Sequence, residues 1–350
     1  AYRTVAIGSQ ALETDTTGHT NVAIGYDTMR LGSGANQSVA VGQSALEYFS
    51  IGNNTGTHTT AIGNTAGKYT TGSYNTFVGS QAGAGASSAP YASGEKNVAV
   101  GYQALTAFTT GGENVAVGRT TLSSLTSGVR NIALGMDAGG GTTTGNDNIF
   151  IGKSAGNQNV SGDEMVLIGT AAGFSLNHDT DNDGAVFIGY NAGYNYVSGG
   201  GGGVFIGFKA GQMADAAATN AVQNTYIGYE AGRFLDDGTN NVALGHTAMR
   251  SIDADGHNAN HSIAIGFEAL YKITDGDYNV AVGSRALKVH TTGNRNIAIG
   301  FEAMHDTDAG STSLGSVDNV FVGHNAGGGT WTDVASNRNV TLGNYTMDAA

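Results

Sequence analysis

One short pattern returns along the whole chain: an aliphatic residue, a mostly apolar residue, an aliphatic residue, then glycine. It is seen in Val5-Ala6-Ile7-Gly8, Val22-Ala23-Ile24-Gly25, Ile149-Phe150-Ile151-Gly152 and Val280-Ala281-Val282-Gly283. With this glycine as position zero, it falls at residues 8, 25, 42, 63, 79, 101, 118, 135, 152, 169, 189, 207, 228, 245, 266, 283, 300, 323 and 343, and nine of the 18 spacings are 17 residues. Position −1 is always Ile, Val or Leu; position −4 is Asn in 12 of 19 copies; position +3 is Ala or Thr; position +4 is Leu, Met or Gly. A polar stretch closes each unit, often Thr-Thr-Gly, as at Thr109-Thr110-Gly111. The aliphatic triplet predicts a short strand. The glycine ends it, by taking a positive φ or by letting another backbone come close. Ala-Leu or Ala-Gly predicts a second, shorter extended segment, and the Asn and Thr-Thr-Gly positions read as turn chemistry.

A unit this short is too small for a propeller blade or a helix pair, and no segment shows the period of a helix. The prediction is an all-β chain, a parallel β-solenoid of about 19 coils stacked one strand spacing apart. Residues 1–350 read as a single continuous repeat solenoid. Its irregular spacings place insertion loops near 47–58, 84–96, 174–184, 194–203, 212–223, 250–261, 305–318 and 328–338. Insertions gathered at one point of a repeat map to one side, often the binding side.

Two positions trade volume. Position −2 is large at Phe77, Phe150, Leu167, Phe187, Phe205, Tyr226 and Phe321, and position +4 of each of those units is Gly. Where position −2 is Ala or Thr, position +4 is Leu or Met, except in the units Ala61/Gly67 and Ala133/Gly139. A close-packed core tolerates neither void nor overfill, so the two side chains are expected to share a layer. Neighbouring strand residues point to opposite faces, and all three triplet residues are apolar, so both faces call for burial. One face is expected to meet another copy of the chain.

Composition sharpens this. The 57 glycines would suit a disordered tract, but the regular aliphatic triplets make them positional. A net charge of −13 without a basic run argues against a nucleic-acid groove and against docking on an anionic membrane. No stretch is apolar enough to span a bilayer. The chain opens on Ala1 without a visible leader and is expected to be a mature product or a piece of a longer one.

The segment Asn21 to Met29 resembles the head repeats of trimeric autotransporter adhesins, and Ser38-Val39-Ala40-Val41-Gly42 and Ser262-Ile263-Ala264-Ile265-Gly266 match those repeats well. The form at Tyr102 to Gly111 is similar to repeats of bacteriophage long tail fibres. The resemblance runs over essentially the whole chain. It implies a left-handed β-roll, three chains side by side, and attachment to a surface or receptor. The coils are longer than typical adhesin head coils, and a coiled-coil stalk, membrane anchor and C-terminal chaperone domain are not seen in these 350 residues; either they lie outside this segment or the chain forms a different kind of filament.

Candidate chemistry is sparse. Asp179, Asp181 and Asp183, followed by Gly184, have the alternation that wraps calcium in the first half of an EF-hand loop, but Tyr190 stands where the closing Glu belongs. Asp253 and Asp255, with His257 and His261 nearby, and Asp306 with Asp308 are weaker metal candidates. Calcium is the one cofactor this reading admits; none is required. Tyr48, Phe49, Tyr91, Tyr194, Tyr196 and Trp331 fall in or beside insertions and are candidates for contact with a glycan or receptor. Tyr26, Tyr102, Tyr190 and Tyr229 follow position zero too regularly to be a site and read as a structural row.

The sequence therefore predicts a non-enzymatic fibre or adhesin segment: an extracellular solenoid rod at a cell surface or on a virion, homotrimeric, carrying loops for attachment. An ice-binding solenoid is less well matched, because its threonine ladder would be interrupted by insertions. Neither end reads as a polar capping unit. Either the segment is cut from a longer fibre, or chains stack end to end into a filament.

Overall fold

The computed structural model describes residues 3–50, 56–88, 90–176, 183–196, 202–213, 222–235, 237–251, 258–306, 315–329 and 337–347. The chain divides into two compact units, 1–170 and 171–350. The first contains ten three-residue strands, β1 (Val5–Ile7) to β10 (Val166–Ile168), and the second nine, β11 (Val186–Ile188) to β19 (Val340–Leu342). Among the described residues there is no helix. Within each unit successive strands pair in parallel, each triplet aligned with the next, as Val98↔Val115, Ala99↔Ala116 and Val100↔Val117 in the first and Ile263↔Val280, Ala264↔Ala281 and Ile265↔Val282 in the second. This is the all-β parallel solenoid that the repeat predicts.

The position −2 side chain points inward and is fully buried in every coil except those of Ala6 and Thr341, while positions −3 and −1 face out. Position-zero glycines satisfy both reasons for being glycine. Their φ lies between 128° and 145°, where a side chain is strained. Within each unit, a Cβ on every one but the last would stand 2.2–2.7 Å from the carbonyl oxygen of the next coil's glycine, as at Gly101 (2.4 Å from Gly118 O) and Gly283 (2.2 Å from Gly300 O).

The second extended segment is not there. Positions +2 and +4 take a left-handed φ in all 19 coils, as at Gln103 (55°) and Leu105 (53°), and the backbone turns. Position −5 does the same in most coils, as at Lys96 (59°) and Arg130 (57°). Each such residue costs roughly 1–2 kcal/mol for a non-glycine. The turns persist because stacking satisfies their backbone groups: Leu105 N–H donates to Thr121 O at 2.9 Å and Gln103 N–H to Ser80 O at 3.0 Å.

The position −4 asparagines are not surface turn residues either. They form a buried ladder. Asn131 Nδ2 donates to Asn114 Oδ1 (3.0 Å) and Gly145 O (2.8 Å), and its Oδ1 accepts from Asn148 N (3.1 Å) and Asn148 Nδ2 (3.0 Å). Asn131→Ala is expected to cost about 2–4 kcal/mol, because it orphans buried groups in the coils on both sides. A urea melt of the variant checks this; an unchanged midpoint would show that water replaces the amide.

Position +7, unmarked in the sequence, is a third core position. It holds Phe49, Phe108, Leu125, Leu176, Tyr196, Leu235 and Ile273, all fully buried. Tyr196 sits edge-on to Phe187 (5.3 Å) and Phe205 (5.1 Å). Two corrections follow. Phe49 and Tyr196 complete the core and do not reach out to a ligand. Residues 47–50 also belong to the coil, so the insertion expected to start at Glu47 starts later.

Candidate interaction surface

Outward residues at positions −3 and −1 form two aliphatic columns on the strand face of each unit. Unlike the inward column, they keep contact with solvent: they are half-buried in most coils, as in β9 and β12, and most open where Ile132 is 40% and Leu134 36% exposed in the first unit and Val242 is 37% and Leu244 42% exposed in the second. Position +1 borders the face with aromatics. In the second unit Tyr190, Phe208, Tyr229, His246 and Phe267 follow one another at centroid distances of 5.3, 5.0, 4.8 and 5.4 Å. Tyr190 and Tyr229 thus stand in the row that their spacing predicts; Tyr26 and Tyr102 occupy the same position in the first unit and are exposed. Because these rings stack on one another, they present edges to solvent. The result is a ridge beside an aliphatic strip, a shape suited to a protein surface. Contiguous exposed apolar surface of this kind marks an interaction site.

Charged columns flank the strip. On the position −5 side, Lys96 pairs with Glu113 (3.1 Å) and Arg130 with Asp147 (2.6 Å) in the first unit, and Arg295 with Asp318 (2.7 Å) in the second. Hydrogen bonds from Arg130 hold the Asp147 carboxyl below the usual carboxylate range, and Arg295 does the same for Asp318. On the other side Arg285 bridges Glu268 (3.3 Å) and Glu302 (3.0 Å). Exposed pairs of this sort add little to stability.

Of the residues expected to contact a ligand, the structure brings Tyr48 and Tyr91 together and adds Tyr69. Tyr48 lies 5.0 Å from Tyr69 and 5.1 Å from Tyr91, and Tyr69 lies 6.1 Å from Tyr91, all three half-buried. Lys68 covers the Tyr69 ring at 5.1 Å and pairs with Glu47 (3.2 Å), which also pairs with Arg30 (2.8 Å). Burial pushes the Glu47 carboxyl up, but hydrogen bonds from Arg30 and Lys68 more than offset it and hold the group below its ordinary range. Tyr69 precedes an insertion, and its place at position +6, the same as Tyr48, is what marks it in the sequence. Tyr194, in the second unit, stacks on Phe174 at 5.2 Å. Trp331 lies outside the described residues.

The calcium candidates Asp179 and Asp181 also lie outside the described residues, as do Asp253, Asp255, His257 and Asp308; Asp183 is exposed at the start of a coil. His261 stacks on Tyr278 at 4.9 Å. Among the described residues no group of three or more His, Cys, Asp or Glu side chains is placed to hold a metal ion. Among them, too, no helix is long and apolar enough to cross a membrane. Compared with family models, with curated proteins and with solved structures, the chain finds no match in any of the three.

Proposed function

We propose that this chain is a structural segment of an extracellular fibre or adhesin, without catalytic activity, that works as a homotrimer at a cell surface or on a virion. The observation that carries the reading is the exposed aliphatic strip along the strands of each unit. A strand that is apolar on both faces is ordinarily covered on both, and the coil interior covers only one. A second and third copy of the chain supply the missing cover, and the number three follows the resemblance to trimeric fibre repeats. Stiffness comes from the stacked cores and the asparagine ladder. Attachment falls to side chains off the strip, with the half-buried cluster of Tyr48, Tyr69 and Tyr91 as the contact for a glycan or receptor.

The test places charge on the strip and leaves the core alone. Ile132→Asp, Leu134→Asp, Val242→Asp and Leu244→Asp change only outward residues. The four-fold variant is expected to keep its far-ultraviolet circular dichroism and to dissociate at concentrations at least tenfold above those that dissociate the unsubstituted chain. Identical association of the two proteins would overturn the reading.

A further inference from the structure

The two charged columns beside the strip contain a relation that no contact within one chain explains. Where successive coils both carry a charge, ion pairing makes each column alternate in sign, apart from Asp147 followed by Glu164, but it leaves the phase of one column against the other unset. The columns flank the strand on opposite sides, and no ion pair among the described residues joins them. Yet the phase is the same in both units. Four coils have a Lys, Arg, Asp or Glu at position −5 and another at position +1 or +2, and in each the signs are opposite: Glu113 with Arg119, Arg130 with Asp137, Asp147 with Lys153, and Arg295 with Glu302. The first three stand in one unit and the fourth in the other.

Opposite edges meet when copies pack side by side and point the same way. Rotation about an axis parallel to the stack brings the −5 edge of one chain to the +1/+2 edge of the next at the same coil. A slip of one coil turns attraction into repulsion. It sets Lys96 against Arg119, Glu113 against Asp137 and Arg130 against Lys153 in one direction, relieved only by Arg3 with Asp27. In the other direction it sets Arg130 against Arg119, Asp147 against Asp137, Arg295 against Arg285 and Asp318 against Glu302, relieved only by Glu164 with Lys153. A slip of two coils restores the signs, except for Glu164 against Asp137 in one direction, but uncovers two coils of the aliphatic strip at each end. The −5 edge also has room for an incoming side chain: a shallow depression of about 350 Å³ is lined by Ser93, Lys96, Glu113, Val129 and Arg130. Like charges facing each other across an interface suppress wrong partners and fix register.

We propose that this phase specifies the partner geometry: a second copy of the chain, parallel, with each coil against the same coil of its neighbour. Equal register is what lets a bundle close, whereas a constant slip would generate an open, staggered filament. The inference rests on self-association through the aliphatic strip and adds to it the direction and register.

The chain has no cysteine, so engineered pairs report cleanly. Three double variants share Asp147→Cys and add Lys153→Cys in the same coil, Met136→Cys one coil away, or Arg119→Cys two coils away. None can close within a chain: the paired sites flank the strand, whose extended residues hold them more than about 10 Å apart, and a disulfide needs Cα atoms within about 7 Å. After mild oxidation the same-coil pair is expected to give covalent dimers and trimers on a non-reducing gel. Its yield should exceed that of the one-coil pair at least threefold, with the two-coil pair giving none. Better linking by either offset pair, or no linking by any pair in a protein whose mass remains oligomeric, overturns the register alone. A monomeric mass for the unsubstituted chain overturns the self-association reading and the register with it.

Discussion

Gly228→Val is expected to abolish folding of the coils around it. Gly228 has a φ of 139°, and a Cβ there would stand 2.2 Å from the carbonyl oxygen of Gly245 and 2.7 Å from its carbonyl carbon. The obstacle is backbone, and that backbone lies next to the strand pairing Thr225↔Val242 through Ile227↔Leu244. It cannot retreat without opening the ladder. Strain at this φ costs about 1–3 kcal/mol, and the steric conflict adds to it. A total above about 4 kcal/mol places the change among the rare severe substitutions. Gly184→Ala is the control. Gly184 also has a positive φ, 76°, but nothing lies within 4 Å of an added Cβ, so the expected cost is only about 1–2 kcal/mol. Thermal melts followed by circular dichroism separate the two. Similar losses in both would mean that φ alone, and not close approach of the coils, requires the glycine.

Phe150→Ala is expected to cost about 3–5 kcal/mol, the usual range for emptying a buried aromatic position. Its partner is identifiable. A Cβ on Gly156 would meet Phe150 Cε1 at 2.6 Å, so Gly156→Leu alone overfills the same layer. The backbone at position +4 accepts Leu readily, since Leu122 and Leu287 hold the same left-handed φ in their own coils. Phe150→Ala with Gly156→Leu should therefore be more stable than the sum of the single changes predicts, with a coupling of at least about 1 kcal/mol. Recovery stays partial, because Phe150 also fills the space over Gly139 of the preceding coil, where a Cβ would come within 2.6 Å of the ring. Additive denaturation midpoints would dissolve the pairing.

That second contact fills the space in the two units that break the volume rule, although Phe321 follows Ala298/Met304 without a small residue at position +4 there. Ala61/Gly67 and Ala133/Gly139 are small at both positions, and each is followed by a coil with Phe at position −2. A Cβ on Gly67 would touch Leu46 of the coil before (2.7 Å) and Phe77 of the coil after (2.8 Å); Gly139 lies in the same way between Leu122 (2.7 Å) and Phe150 (2.6 Å). Within a coil, the exchange was legible because both positions sit at fixed offsets from the glycine. Between coils it was hidden, since a ring shared by two layers leaves no extra residue to see.

What the chain did not advertise has physical causes. Position +7 packs the core with Phe49 and Leu125 in some coils, yet with Thr142 and Asn159 in others, all buried. Mixed chemistry at one position erases the hydrophobic signal, so Phe49 and Tyr196 looked like loop aromatics. The left-handed residues at positions −5 and +2 are as varied as Arg130, Asp137 and Lys209. Their conformation is imposed by hydrogen bonds from neighbouring coils, which override local preference. The asparagines were visible as a motif, but a turn and a buried ladder call for the same amide. The exposed strip, by contrast, was readable directly: three apolar residues in a row on an alternating strand leave one face in need of cover.

Whether another copy of the chain provides that cover is decided most directly by the mass of the unsubstituted protein in solution, measured by light scattering across a wide concentration range. The account predicts a fixed mass three times that of the 35.4 kDa chain. A mass of 35.4 kDa at every concentration, with the strip still open to solvent, would contradict it.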